Sequence, residues 1–242
     1  MIVTLTDFGN SEYLGIVKGI IYSIEKKVTI VELNNHISPY NIKEAAWILS
    51  NNYKHFPKYS IFLCVVDPTV GSSRQAVAIK TKNFFFVGPD NGIFTEVLKI
   101  EKPLAIIKLP TQNASNTFQA RDVFAKAAAA LESDKNISAL GEKTALKFKL
   151  EFYLNDRTGE IVRIDHFGNI ITNIPHIKNK KGYKIKTKKL QTTMPFFQIY
   201  ADAPNDTLFL IESSCNTLEF AVKNGSAKEK INLNIGDRIS IE

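Results

Sequence analysis

Two residue rhythms divide this 242-residue chain. Up to about residue 150, short apolar runs alternate with segments of helical period. Beyond Arg157 the helical period fades, and short strands and turns follow one another. The first rhythm predicts a layered α/β domain with a mostly parallel sheet. The second predicts a small all-β domain, a barrel or sandwich. The expected division is therefore an α/β domain over 1–150 and a barrel-like domain over 157–242. The boundary falls in the charged stretch from Lys147 to Arg157.

Strands are expected at Ile2–Thr6, Val28–Leu33, Ile61–Val66 and Leu104–Lys108. A hairpin of Ala76–Lys80 and Phe84–Val87 is expected around Thr81-Lys82-Asn83. Helices are expected over Ser11–Ile24, with Asn10 or Ser11 as cap, and over Ile42–Asn51, Ile93–Leu98 and the alanine-rich Arg121–Leu131. In the second part, strands are expected at Ile161–Ile164, Ile170–Ile174, Tyr183–Thr187, Thr207–Ile211, Leu218–Val222 and Arg238–Ile241.

Composition narrows the function classes. No apolar run approaches the roughly 18 residues needed to span a bilayer, and Met1-Ile2-Val3-Thr4 reads as a strand rather than a signal peptide. Cys64 and Cys215 match no metal spacing, and His36, His55, His166 and His176 show no paired spacing. A cytoplasmic chain with no metal is expected. The net charge of +7 comes largely from Lys178, Lys180, Lys181, Lys184, Lys186, Lys188 and Lys189. No aromatic-basic motif accompanies them, so a solvated lysine face is expected rather than a nucleic-acid site. There is no GxGxxG and no GxxxxGK[ST], which disfavours dinucleotide and triphosphate binding.

Candidate chemistry lies where strands end. Pro68 and Gly71 stop the strand that precedes Asp67, so Asp67 and Arg74 fall just past its carboxyl end, where open α/β sheets bind ligands. A carboxylate and a guanidinium on one loop can orient a polar reactant without a metal. Asp7, closing Thr6-Asp7-Phe8-Gly9, either accepts hydrogen bonds from vicinal hydroxyls or caps the next helix. Gly88-Pro89-Asp90-Asn91-Gly92 reads as a turn, with Asp90 available as a helix cap. Phe118 is open to a core role or to stacking on a flat ligand, and Arg121 and Asp122 to structural pairing. Asp165-His166-Phe167-Gly168-Asn169 is a turn signal that also suits gripping an amine and a purine. Ser213 to Ala221 reads as a polar loop before a strand, or as a binding loop for a carboxylate or base edge.

In order and spacing, TDFG, VVDPxVGxxR, GPDNG, FxxRD, DxFGNxxTN and SSxxxLEFAxxxG resemble the S-adenosyl-L-methionine (SAM) hydroxide adenosyltransferases. These SAM hydrolases are related to fluorinase and chlorinase. The resemblance covers nearly the whole chain and implies an α/β domain plus a small β-barrel. It implies hydrolysis of SAM to adenosine and L-methionine without metal or organic cofactor. It also implies a homotrimer with the substrate between domains of adjacent subunits. By resemblance, Asp7 holds the ribose hydroxyls, Tyr40 lines the ribose pocket, and Asp67 and Arg74 orient the water. Asp165 and Ser214 would hold the methionine ends, while Phe167, Asn169, Glu219 and Val222 would contact adenine. Phe118 joins the substrate-binding set.

One departure stands out. The family's third water-orienting residue is a histidine within Phe-His-Gly-Arg-Asp, but this chain reads Phe118-Gln119-Ala120-Arg121-Asp122. Gln119 donates and accepts hydrogen bonds and takes no proton near neutral pH. Two alternatives follow: a SAM- or adenosine-binding protein without chemistry, and a halide transferase. The halogenases carry an extra loop, and a tyrosine at the position of Asp67. This chain has neither, and a carboxylate repels an anion.

Overall fold

The computed structural model describes residues 1–187 and 191–242. Of the lysine-rich segment, Lys188 and Lys189 lie outside the described residues. The chain divides into two compact units, Met1–Leu150 and Glu151–Glu242.

In the first unit, strands β1 (Ile2–Thr6), β2 (Ile30–Asn34), β3 (Ile61–Val65), β4 (Ala76–Lys80), β5 (Phe85–Pro89), β6 (Ala105–Lys108) and β7 (Glu142–Lys143) form one sheet. Their order is β2-β1-β3-β5-β4-β6-β7. The pairs β2–β1, β1–β3 and β3–β5 are parallel; β4, β6 and β7 extend the sheet antiparallel. Helices α1 (Tyr13–Ile24), α2 (Ile42–Asn52), α3 (Thr95–Ile100) and α4 (Ala125–Glu132) cover it.

Side-chain alternation explains the layers. Along β3, Ile61, Leu63 and Val65 enter one core with Val17 and Ile21 of α1 and the alanines of α4. Phe62 and Cys64 enter the other, with Ala45, Ile48 and Leu49 of α2 and Val97 of α3. A strand buried on both faces favours apolar residues throughout, which β3 supplies at every position, while β1 is buried along its length with Thr4 and Thr6 among its apolar residues. Each buried Ile, Leu or Phe contributes about 1.5–3 kcal/mol.

Local signals hold in detail at α2 and less so at α1. Asn41 caps α2, its Oδ1 accepting from the amide of Glu44 at 3.0 Å. The expected cap of α1 by Asn10 or Ser11 is corrected. That helix starts at Tyr13, after Glu12, and the Ser11 hydroxyl donates instead to the carbonyl of Phe8. Asp90 caps nothing: α3 starts at Thr95. The buried Asp90 carboxylate accepts from the amides of Lys147 (2.7 Å) and Phe148 (3.3 Å), fastening the segment that leaves the sheet.

The second unit is a single antiparallel sheet of β8 (Thr158–Ile164), β9 (Ile170–Pro175), β10 (Gly182–Lys186), β11 (Gln191–Pro195), β12 (Leu208–Glu212), β13 (Thr217–Val222) and β14 (Arg238–Ile241). Its order is β11-β10-β14-β8-β9-β13-β12. A bridge between Phe196 and Leu210 draws the two edges together, so the sheet is a nearly closed barrel. Inside lie Ile161, Ile170, Tyr183, Leu210, Phe220 and Ile239. Among the described strands and α-helices, β7, β11 and α5 (Ala227–Lys230) were not anticipated. Each is very short or, like β11, mostly exposed, and carries little apolar periodicity.

Candidate active site

The parallel strands bring their carboxyl ends to one edge of the first unit. Asp7 follows β1, the Asn35–Tyr40 turn follows β2, and Asp67 follows β3. Asp7 does not cap α1; its Oδ2 accepts the amide of Tyr40 at 2.9 Å. Tyr40 makes this donation from φ +67°, a left-handed conformation that is uncommon for a bulky residue, and its ring is 72% exposed. Burial pushes the Asp7 carboxyl above its ordinary range. The Tyr40 amide opposes that rise, and the nearby Asp67 charge adds to it.

Asp67 and Arg74 form an ion pair with 5% and 2% of their side chains exposed. Arg74 Nε donates to Asp67 Oδ1 at 3.2 Å and Oδ2 at 3.0 Å, and Nη2 also donates to Oδ2. The same Nη2 donates to Gln119 Oε1 at 2.5 Å. The guanidinium lies 5.5 Å from the centre of the Phe124 ring. Its Nη1 is buried with no partner among the described residues. Because arginine has only donors, it fixes the amide of Gln119 with oxygen inward and leaves Nε2 as a donor.

Two backbone features hold this cluster. Gly71 adopts φ +80°, and a Cβ there would fall 2.5 Å from the carbonyl oxygen of Asn116. Only glycine suits that crossing of the loops. Gln119 precedes a π-helical turn, Ala120–Phe124, that leads into α4. Such single π turns are frequent at functional sites. Phe118 packs edge-on against Tyr13 and Phe8, at 5.1 and 6.4 Å between centroids, with the Arg121 guanidinium over its face. Arg121 also pairs with Asp122, as expected.

The second unit carries a cleft of about 650 Å³. Asp165, Phe167, Asn169, Ser214, Glu219 and Val222 all line it, so the six positions expected there are brought together. Asp165 Oδ1 accepts the amides of Phe167 and Asn169, each at 2.9 Å, and Oδ2 accepts Asn169 Nδ2 at 3.0 Å. That carboxylate shapes the Phe-Gly-Asn turn and presents Phe167, which is 74% exposed. A Cβ on Gly168, at φ +80°, would collide with Ser226. Tyr200, Glu212 and Asn224 line the cleft as well and were not anticipated. Tyr200 lies in a one-turn 3₁₀ helix within an irregular stretch, which carries no sequence signal. Its hydroxyl donates to Glu219 Oε1.

Among the described residues, no three His, Cys, Asp or Glu side chains gather as a metal site would need. None of the described helices is long and apolar enough to cross a membrane. Cys64 and Cys215 are not disulfide-bonded, and burial pushes the Cys64 thiol upward.

Comparison with known proteins decides the family. Residues 2–141 match the SAM hydroxide adenosyltransferase N-terminal domain, and residues 159–240 match its C-terminal domain. The chain belongs to the SAM hydroxide adenosyltransferase family. One relative, the (R)-S-adenosyl-L-methionine hydrolase of Methanocaldococcus jannaschii, is 34% identical, covering 99% of this chain and 95% of the relative. The Thermus thermophilus protein of the same name is 30% identical, covering 96% and 95%. A crystal structure of an uncharacterized conserved protein from Thermotoga maritima superposes with a TM-score of 0.92, at 30% identity, over the full length of both chains.

Proposed function

We propose that this family member is an enzyme that hydrolyses SAM to adenosine and L-methionine by attack of an oriented water at C5′. The observation that carries the reading is the buried Asp67–Arg74–Gln119 constellation at the strand ends. The full-length relatives named for the same reaction support it.

In the reaction, the water oxygen forms a bond to C5′, the C5′–S bond breaks, and a proton leaves to solvent. The leaving group is the neutral thioether of methionine, so no acid is needed. The demand is for a nucleophile held in line and partly desolvated. Arg74 Nη1 is a buried donor without a partner among the described residues, and a buried donor left unmatched costs about 1–3 kcal/mol. The reacting water is assigned as that partner. The guanidinium charge lowers the pKa of this water, Asp67 orients it, and the Nε2 donor of Gln119 fixes its position. A general base contributes typically about 10²–10⁴-fold, so turnover is slower than with histidine, not absent.

Asp7 and Tyr40 are proposed at the ribose, with Phe118 closing that side. Asp165 and Ser214 take the methionine ends, and Phe167, Asn169, Glu219 and Val222 take adenine. No metal or organic cofactor and no nucleic acid is invoked, and the proposed location is the cytoplasm. A homotrimer that completes each site across subunits fits α1, where Tyr13, Ile16 and Ile24 form an exposed apolar stripe.

Chromatography of the protein incubated with SAM, without and with chloride, tests the reading. Adenosine and methionine accumulating in both is the expected result. A SAM-dependent rise in melting temperature without product would replace the enzyme by a binding protein. A halogenated deoxyadenosine would make it a halide transferase.

A further inference from the structure

We propose that Tyr200 is a positioning residue for purine selectivity, its hydroxyl holding Glu219 so that the remaining carboxylate oxygen accepts from a 6-amino group and rejects a 6-oxo group. The inference rests on the reading of the second-unit cleft as the adenine site.

Glu219 projects from β13 between β9 and β12 and lines the cleft. The hydroxyl of Tyr200 donates to its Oε1. Its Oε2 takes no hydrogen bond from any described residue. A carboxylate fixed at one oxygen offers the other as a pure acceptor. An adenine amino group donates to such an acceptor, whereas the 6-oxo group of hypoxanthine faces it with lone pairs. The Tyr200 ring is held edge-on against Phe209, 5.7 Å between centroids, so its hydroxyl is a fixed donor.

The arrangement answers an electrostatic problem. Glu219 is 8% exposed, and burial pushes its carboxyl upward. The hydrogen bond from Tyr200 opposes that rise, Asp165 adds to it and Arg163 opposes it, while Glu212 lines the same cleft. Without the Tyr200 hydroxyl, Glu219 takes up a proton at a higher pH. A protonated carboxyl both donates and accepts, and it discriminates poorly between amino and oxo groups.

The test is calorimetric titration of the whole protein with adenosine and with inosine, across pH. Wild type is expected to prefer adenosine by roughly 10- to 100-fold, the worth of one hydrogen bond to a charged group. In Tyr200→Phe, which keeps the ring packing, that ratio falls several-fold. The pH below which adenosine affinity declines moves upward. In Glu219→Gln the preference for adenosine collapses, and the part of the pH dependence that Tyr200→Phe displaces disappears. An unchanged ratio and pH midpoint in Tyr200→Phe would overturn the inference while leaving the adenine site in place. Wild type that binds neither nucleoside would overturn both.

Discussion

Asp67 and Arg74 bind their fates together because both are buried. Taking away one partner of such a pair strands the other charge and costs on the order of 3–5 kcal/mol. Arg74→Met is therefore expected to lower the denaturant midpoint sharply as well as to abolish turnover. Gln119→His tests the departure from the family pattern. Its kcat is expected to rise at least several-fold and to become pH-dependent, climbing as the imidazole loses its proton. A pH-independent kcat at or below that of wild type would show that Gln119 is not standing in for a base. At Asp7 the sign of the pH effect follows from burial. The folded carboxyl is raised, the proposed acceptance of both ribose hydroxyls uses the ionised form, and SAM affinity is expected to fall as pH drops through that raised value. The KM for SAM should therefore begin to climb at a higher pH than an ordinary carboxylate would dictate, and the climb should vanish in Asp7→Asn. Several of these residues were readable from sequence because they are polar groups fixed to strand ends. Tyr200 was not, because a lone aromatic in an irregular loop looks the same whether or not it holds a carboxylate.

Elements differ in how much of them local sequence encodes. β1, β3 and α2 were legible nearly to the residue: the two strands are short runs rich in apolar and β-branched residues and buried along their length, and the helix has an Asn cap with Glu three residues on. The start of α1 was not legible, since a turn through Gly9 at φ +60° diverts the Ser11 hydroxyl to Phe8 before the helix begins. The π-helical turn at Ala120–Phe124 is likewise invisible in an alanine-rich run whose composition favours an ordinary helix. The loop carrying Asp67 and Arg74 depends on Gly71. Gly71→Ala meets both the left-handed penalty, about 1–2 kcal/mol, and the close approach of Asn116. It is expected to cut stability by at least that amount and to reduce kcat more than the affinity for SAM. A melting curve and a steady-state titration on one preparation read both effects.

At the scale of the molecule, the two sequence rhythms correspond to a parallel-cored sheet and a nearly closed antiparallel barrel. The proposed trimer rests on resemblance, because no pattern in a single chain states how many copies gather. Sedimentation should report three chains per particle, and Ile16→Asp in the exposed stripe of α1 should shift the particle toward the monomer. The groups proposed to orient the water, Asp67, Arg74 and Gln119, lie on the first unit, and the cleft residues lie on the second. If adjacent subunits share each site, two broken chains can repair one another. Asp67→Asn subunits mixed and reassembled with Glu219→Ala subunits would place an intact first unit beside an intact second unit in roughly a quarter of the sites of a cyclic trimer. Activity returning on mixing two weak or silent variants would then count the subunits behind a single act of catalysis.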